Sequence, residues 1–224
     1  MNRLSLFVFI SAGLCSAANI TDLCGTGQAA CGGALLATGS VDTHYTIISG
    51  PVTGTTYVGA HPAWVANDSK SEWITPLGGV ERVAGGYYTY ETTFTAAATN
   101  FVISGLWSAD NAGYDIILNG KSLLNNQING SGLFAYGTGP YGFESMTPFT
   151  ISSGFVTGAN TLDFVVQNGN FAGDTFAPSG LRVEMNAIAS TPEPGTLGLS
   201  SFFLALIGSS VAFRKRSLAR ASGK

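Results

Sequence analysis

The stretch Gly158-Ala159-Asn160-Thr161-Leu162-Asp163-Phe164-Val165-Val166-Gln167-Asn168 decides the fold class of this chain. Within it, Leu162, Phe164 and Val166 fall on one face, and a period of two is typical of a β-strand with one buried face. Turn-forming Gly and Asn residues flank the run. The sequence therefore predicts a strand over residues 161–166 that contributes three apolar side chains to a core.

Similar short runs recur along the chain, divided by Gly, Asn, Asp and Pro. Leu181-Arg182-Val183-Glu184-Met185-Asn186 alternates apolar and polar residues, and Tyr88, Tyr90 and Phe94 share a parity. Asn119-Gly120 is a two-residue hairpin signal, because both turn positions need a positive φ. Further strands are predicted at 44–48, 55–58, 101–107, 114–118, 121–124 and 149–151. Eight to ten strands at this spacing, with no long 3.6-residue period between the apolar ends, predict an all-β fold, a β-sandwich.

The order of several motifs resembles the galactose-binding-like jelly roll over residues 71–187. The motifs are Trp107-Ser108-Ala109-Asp110-Asn111, the Asn119-Gly120 turn, the 158–168 segment and Gly180-Leu181-Arg182-Val183. The resemblance implies a jelly-roll sandwich in which the last two segments are core strands. It also implies a preference for glycans as ligands.

The C-terminal end has three parts in a fixed order. Thr191-Pro192-Glu193-Pro194-Gly195 precedes an apolar, charge-free run over residues 196–213, and Arg214-Lys215-Arg216 follows directly. At about 1.5 Å per residue this run forms a helix of about 27 Å, long enough to cross a hydrocarbon core. The basic cluster should stay on the cytoplasmic side, which places everything before Pro192 outside.

This three-part tail resembles the PEP-CTERM sorting signal. The resemblance implies recognition by an exosortase-like membrane enzyme, processing near Pro192, Glu193 and Pro194, and transient residence in the inner membrane. A permanent single-span anchor is the alternative. A sortase signal would need an L-P-x-T-G pattern, which is absent, and a glycolipid-anchor signal ends in its apolar tail, whereas this chain continues with basic residues.

The N-terminal end predicts a signal peptide over residues 1–18. Asn2-Arg3 supplies a positive region, residues 4–14 are apolar but too short to span, and cleavage is expected after Ala17 or Ala18. The chain is thus divided into the signal peptide, an exported domain over 19–190 with its core at about 71–187, and the sorting segment over 191–224. We expect the mature protein at the cell surface or outside the cell.

Charge and cysteine content restrict the function of the exported domain. Residues 19–191 contain 12 acidic and 4 basic residues, a formal charge of −8, which disfavours binding to a nucleic-acid backbone. The carboxylates also offer ligands for a structural calcium ion, although no D-x-D-x-D-G series is present. Cys24 and Cys31 are the two cysteines of the mature chain, and their spacing predicts a small disulfide loop rather than a metal site.

Candidate binding residues are aromatic rings that could stack on sugars, with amides and carboxylates beside them for the hydroxyl groups. They are Trp64, Trp73, Trp107, Tyr114, Asp110 and Asn111. The competing interpretation is that Trp107 belongs to the core and that Asp110 and Asn111 shape a turn. No catalytic residue is predicted, because the chain lacks a nucleophile elbow, a zinc-binding His pair and a phosphate-binding loop.

Together these features predict an exported, non-enzymatic surface or matrix protein that associates with exopolysaccharide and needs no cofactor. Two alternatives remain open at this point. One is a carbohydrate-binding module with a defined sugar ligand, and the other is a glycan-active hydrolase with a converging pair of carboxylates.

Overall fold

The computed structural model describes residues 20, 22–79, 82–123, 142–169 and 176–189. Within these ranges the regular structure is entirely β. The strands are β1 (Val41–Ser49), β2 (Gly54–Val58), β3 (Ile74–Thr75), β4 (Val83–Ala84), β5 (Gly86–Ala96), β6 (Phe101–Asp110), β7 (Ala112–Leu118), β8 (Lys121–Ser122), β9 (Thr147–Ile151), β10 (Gly158–Asn168), β11 (Phe176–Ala177) and β12 (Gly180–Ala189).

Ten of these strands form one continuous curled sheet, in the order β8-β7-β10-β5-β1-β2-β3-β12-β6-β9. All of the pairs are antiparallel, and β4 pairs separately with β11. We call β8-β7-β10-β5-β1 the first half-sheet and β2-β3-β12-β6-β9 the second half-sheet. The β1–β2 pair joins them, and the register shift in β1 between Asp42 and Thr46 is a bulge of the kind that bends a sheet.

The two half-sheets pack face to face around one aromatic core. Trp107 on β6 contacts Phe164 on β10 with ring centroids 5.8 Å apart, and Phe149 on β9 reaches the same ring at 5.7 Å. Phe155 contacts both Phe94 and Phe101 edge-on. Rings from both half-sheets therefore interdigitate, which confirms the predicted all-β jelly-roll sandwich.

The predicted strand faces are confirmed in detail. Leu162, Phe164 and Val166 are all fully buried, as are Leu181 and Val183. The Asn119-Gly120 turn joins β7 to β8, with φ of 51° at Asn119 and 74° at Gly120. Tyr88, Tyr90 and Phe94 on β5 are also buried. The period of two in the sequence thus identifies the core side of each of these strands.

The segment before β1 docks on the second half-sheet. Cys24 and Cys31 form a disulfide within it, and Thr26 exchanges hydrogen bonds with Val183 of β12 through its N–H and its hydroxyl group. Ile20 and Leu23 belong to the core cluster. The sandwich therefore includes residues that precede the 71–187 region, and β1 and β2 lie in the middle of its sheet.

The predicted signal peptide with Ala17 and Ala18, and the sorting segment with the 196–213 helix, lie outside the described residues. Among the residues that the structure does describe, no helix has the length and hydropathy of a membrane span.

Candidate functional site

Three of the predicted site residues meet under the loop that precedes β3. The Trp64 indole N–H donates to Oδ2 of Asp110 at 2.7 Å, and the Trp64 and Trp73 rings lie 4.4 Å apart. Trp73 also donates its indole N–H to the carbonyl of Val65 at 2.8 Å. Trp64 is 6% exposed, Trp73 1% and Asp110 3%. The three residues therefore lie in contact, but both indole rings are buried and have no open face on which a sugar could stack.

Trp107 and Asn111 are placed elsewhere and act structurally. The Trp107 ring is buried against Phe164, and Gly113 faces it so closely that a Cβ there would lie 2.2 Å from its Cη2 atom. Asn111 follows a cis peptide bond after Asp110. Its N–H donates to the carbonyl of Gln167 at 2.8 Å, and its side-chain oxygen accepts from the N–H of Gly169. The Asp110-Asn111 link is thus the tight connection from β6 to β7, not an open loop.

Asp110 is electrostatically unusual. Burial raises the pKa of its carboxyl group to about 7, although the hydrogen bond from Trp64 acts in the opposite direction. Its Oδ1 atom is buried and has no hydrogen-bond partner, and the hydroxyl of buried Ser179 donates to its backbone carbonyl. Below about pH 7 this carboxyl group is therefore neutral, and there it serves as a packing and hydrogen-bonding group.

Tyr114 is the predicted aromatic residue that stays accessible. It is half-buried on β7, and its ring lies 4.5 Å from that of Tyr87, which is 37% exposed. Burial raises the pKa of Tyr87, and the electrostatic interaction and the hydrogen bond between its hydroxyl group and that of Tyr114 raise it further. The two rings form a small aromatic patch on the outer face of the first half-sheet.

A concavity lies on the outer face of the second half-sheet, above β6 and β12. We call it the β6–β12 cleft, and its volume is about 560 Å³. That volume falls within the range of small-ligand sites, about 300–1,000 Å³. Its polar side chains are Gln28, Ser69, Lys70, Ser104, Glu184 and Asn186, with Leu106 and Met185 among the apolar residues and Gly32 and Gly33 on the rim.

Glu184 is the central charged group of the cleft, and Arg182 holds it in place. The Nη2 atom of Arg182 lies 2.8 Å from Oε1 of Glu184 and 3.0 Å from Oδ1 of Asp68. Its Nε atom donates to the hydroxyl of Ser71 at 2.8 Å, and Nη1 donates to the carbonyl of Ala66. Arg182 itself is 1% exposed. A buried guanidinium with four bonds to protein groups fixes both the carboxylate and the 66–71 loop that forms one wall.

The opposite wall is the disulfide loop. The Gln28 side chain accepts from the N–H groups of Gly25 and Gly32 at 3.1 and 3.0 Å, and donates to the carbonyl of Lys70 at 2.8 Å. Lys70 extends over the cleft, with its Nζ atom 3.9 Å from Oε2 of Glu184. The two loops are therefore bonded to one another as well as to the sheet.

A second acidic position lies on the outer face of the first half-sheet. Asp163 on β10 is directly opposite Glu91 on β5. Burial and the negative charge of Glu91 raise the pKa of Asp163 to about 6. Because this pair is on the other half-sheet, it does not contribute to the β6–β12 cleft.

Sequence reasoning missed the residues of the cleft, although part of the signal was present. The alternation in β12 places Arg182 and Glu184 on its polar face, which is where the structure has them. No pattern in the neighbouring sequence marks Gln28 or Lys70 as binding residues. They precede Glu184 by 156 and 114 positions in the chain, and they lie beside it only because their loops dock on β12.

No protein-family model and no curated protein matches the chain. Among solved structures, it is similar to a CBM36-1 domain of a multidomain xylanase from the hindgut metagenome of Trinervitermes trinervoides. The identity is 14% and the TM-score 0.31, over 79% of this chain and 98% of that one. It is also similar to a family 35 carbohydrate-binding module from an environmental isolate, with 11% identity, a TM-score of 0.29, and coverage of 66% and 98%. A Podospora anserina GH26-CBM35 β-(1,4)-mannanase matches at 16% identity and a TM-score of 0.32, over 62% of this chain and 26% of the enzyme. Likeness of this degree assigns no ligand.

Proposed function

We propose that this chain is an exported carbohydrate-binding protein of the cell surface or extracellular matrix, which holds a neutral exopolysaccharide in the β6–β12 cleft. The observation that carries the proposal is the carboxylate of Glu184, fixed in an open cleft by the buried guanidinium of Arg182. A preorganised acceptor loses little side-chain entropy when a hydroxyl group binds it. This is the kind of group that recognises a sugar.

The remaining lining fits the same ligand. Gln28 and Asn186 offer amide groups, Ser104 a hydroxyl group and Lys70 an ammonium group, while the 36% exposed Leu106 offers an apolar surface to the C–H face of a pyranose ring. The formal charge of −8 over residues 19–191 disfavours an acidic glycan. We therefore assign the cleft to neutral hexose units.

Delivery to the surface belongs to the proposal. The signal peptide would begin export, the 196–213 helix would halt it, and an exosortase-like enzyme would process the chain near Pro192-Glu193-Pro194. The intact mass of protein from the culture fluid and from the envelope tests this step. A product that begins near Asn19 and ends near Pro194 supports sorting, whereas a membrane-bound product that retains Arg214-Lys215-Arg216 supports a permanent anchor.

Binding rather than hydrolysis is favoured by the carboxylates near the cleft. Glu184 is the only carboxylate among its lining residues in the described part of the chain. Asp68 shares the guanidinium with it: burial acts to raise the pKa of Asp68, but the N–H of Lys70 and the charge of Arg182 outweigh this and lower it. Glycoside hydrolysis needs a general acid whose pKa is raised, and the lowered pKa of Asp68 does not meet that requirement.

Calorimetry of the protein with a panel of neutral polysaccharides tests the binding step. Glu184→Gln removes the charge but not the shape, and a hydrogen bond to a charged group contributes about 1.5–3 kcal/mol, so we expect affinity to fall at least about tenfold. Ser104→Trp should block the cleft, whereas Thr93→Trp, an exposed position on β5, is its matched control. Loss of binding in Tyr114→Ala but not in Glu184→Gln would instead assign the ligand to the Tyr87–Tyr114 patch. Release of reducing sugar would support the hydrolase alternative.

A further inference from the structure

One group of three metal-ligand side chains lies close together in the part of the chain that the structure describes. The sulfur atoms of Cys24 and Cys31 and a ring nitrogen of His44 are all within 4.8 Å of one another. The two sulfurs are joined as a disulfide. His44 is on β1, remote in sequence from the disulfide loop, which explains why the sequence indicated no histidine near the cysteines.

His44 also carries a ring nitrogen without a hydrogen-bond partner. Its Nε2 atom is buried and has no hydrogen-bond partner, whereas its backbone N–H donates to Oδ1 of Asp42 at 2.8 Å. Buried polar atoms without a partner are rare in folded proteins, and each calls for a physical explanation such as an absent ion or a redox role. An imidazole group beside two sulfur atoms is a set of ligands of the kind that binds zinc.

The loop keeps its position through bonds that do not involve sulfur. The Gly27 N–H donates to Oδ2 of Asp42 at 2.7 Å, and the Tyr45 hydroxyl donates to the carbonyl of Cys24 at 2.9 Å. The Thr26 hydroxyl donates to the carbonyl of Glu72 at 2.6 Å. The N–H of Gly32, next to Cys31, donates to Oε1 of Gln28 at 3.0 Å. Opening the disulfide would therefore leave both thiols near His44.

We propose that Cys24, Cys31 and His44 form a site for a thiophilic divalent cation, with Zn²⁺ as the typical occupant, which the disulfide closes and reduction opens. A phosphine reductant opens the disulfide. The phosphorus atom gives up an electron pair to the S–S bond and takes the oxygen of one water molecule, becoming a phosphine oxide. The two protons of that water go to the two sulfur atoms, which become thiols. Zn²⁺ then displaces both thiol protons and binds two thiolates and the neutral imidazole. At about 2.3 Å per Zn–S bond, tetrahedral thiolates are about 3.8 Å apart, so the two sulfur atoms must move apart once the disulfide opens. Water would complete the coordination.

Cobalt substitution in the full-length chain in detergent tests this site. All variants carry Cys15→Ser, so that the pair is the sole source of thiols. With Co²⁺ alone, the phosphine-reduced protein should give thiolate-to-cobalt charge-transfer bands at one ion per chain, and the oxidised protein should give none. Competition with a chromophoric chelator then gives the Zn²⁺ affinity. His44→Asn should weaken it by at least about tenfold, since even loss of an outer-shell partner costs about 10–100-fold. His61→Asn, at the other histidine of the chain, is the control.

Tryptophan fluorescence shows whether the reduced protein stays folded. If reduction unfolds it and Zn²⁺ restores the native spectrum, the site is supported, because metal binding then supplies folding free energy. Three results overturn the proposal: no cobalt bands after reduction, equal affinity in His44→Asn and the His61 control, or unfolding on reduction that Zn²⁺ does not reverse.

Discussion

Asp110→Asn should change how the stability of this protein depends on pH. The wild-type carboxyl group is 3% exposed and has a pKa of about 7 in the folded protein, against 3.8 for the unperturbed group. Between these two values the folded state binds more protons than the unfolded state. The free energy of unfolding therefore falls as pH rises through this window. The contribution of Asp110 is fully present below pH 3.8 and lost above about pH 7.

The size of the effect follows from the shift. A shift of about three units, at about 1.4 kcal/mol each, corresponds to about 4 kcal/mol of lost stability across the window. The carboxamide introduced by the substitution cannot ionise and still offers an oxygen to the Trp64 indole N–H. The NH₂ group of the variant takes the place of Oδ1, which has no hydrogen-bond partner, and leaving it unpaired costs about 1–3 kcal/mol. The protonated carboxyl group of the wild type carries a comparable unpaired donor, so this cost is similar in the two proteins at low pH. The two proteins should thus be similar near pH 4 and diverge in favour of the variant towards pH 8.

Urea denaturation followed by tryptophan fluorescence measures this difference at intervals from about pH 4.5 to 8.5. The quantity of interest is the free energy of unfolding of the variant minus that of the wild type, because other titrating groups are common to both. Asp163→Asn gives a useful comparison: burial and Glu91 raise the pKa of Asp163 to about 6, so its window should end at lower pH. A difference that stays flat for Asp110→Asn, or that favours the wild type as pH rises, would refute the reasoning.

Two further substitutions test the packing and the buried guanidinium. Gly113→Ala should cost about 1–3 kcal/mol by overpacking, because the new Cβ would lie 2.2 Å from Trp107; thermal unfolding should show that adding Trp107→Phe recovers part of this loss. Arg182→Met should cost about 3–5 kcal/mol, since it leaves Glu184 and Asp68 without their shared partner. Arg182→Lys should recover little of that in chemical denaturation, because a lysine cannot supply the four bonds of the guanidinium fork.

The sequence predicted the strands well where burial follows a period of two. Leu162, Phe164 and Val166 could be assigned to the core because a strand that faces one core must alternate. The Asn119-Gly120 turn was equally clear, since few residue pairs tolerate two positive φ angles. Local patterns of this kind depend on neighbours in the chain, and the sequence displays them directly.

The candidate site was less accessible to sequence reasoning, because loop docking determines it. Trp64 and Trp73 are flanked by turn residues and were predicted at a binding surface, yet the 61–73 loop folds back and buries both rings. Gln28 and Lys70 enter the cleft through hydrogen bonds to distant partners. Alternation places Arg182 on the polar face of β12 but does not indicate the loop that covers it. Tertiary contacts between loops have no periodic signature, so they appear only in the structure.

The place of β12 in the sheet also determines when the domain can be completed. β12 is inserted between β3 and β6, and it pairs with β6 along its whole length, from Gly180 with Asp110 to Ala189 with Phe101. Because the chain is synthesised from its N-terminus, β3 and β6 are therefore made with open edges and acquire their shared neighbour only after residue 180 has been added. Unpaired edges of this kind favour aggregation. The sandwich is consequently completed late, and chains interrupted before residue 180 should be the forms most prone to aggregate.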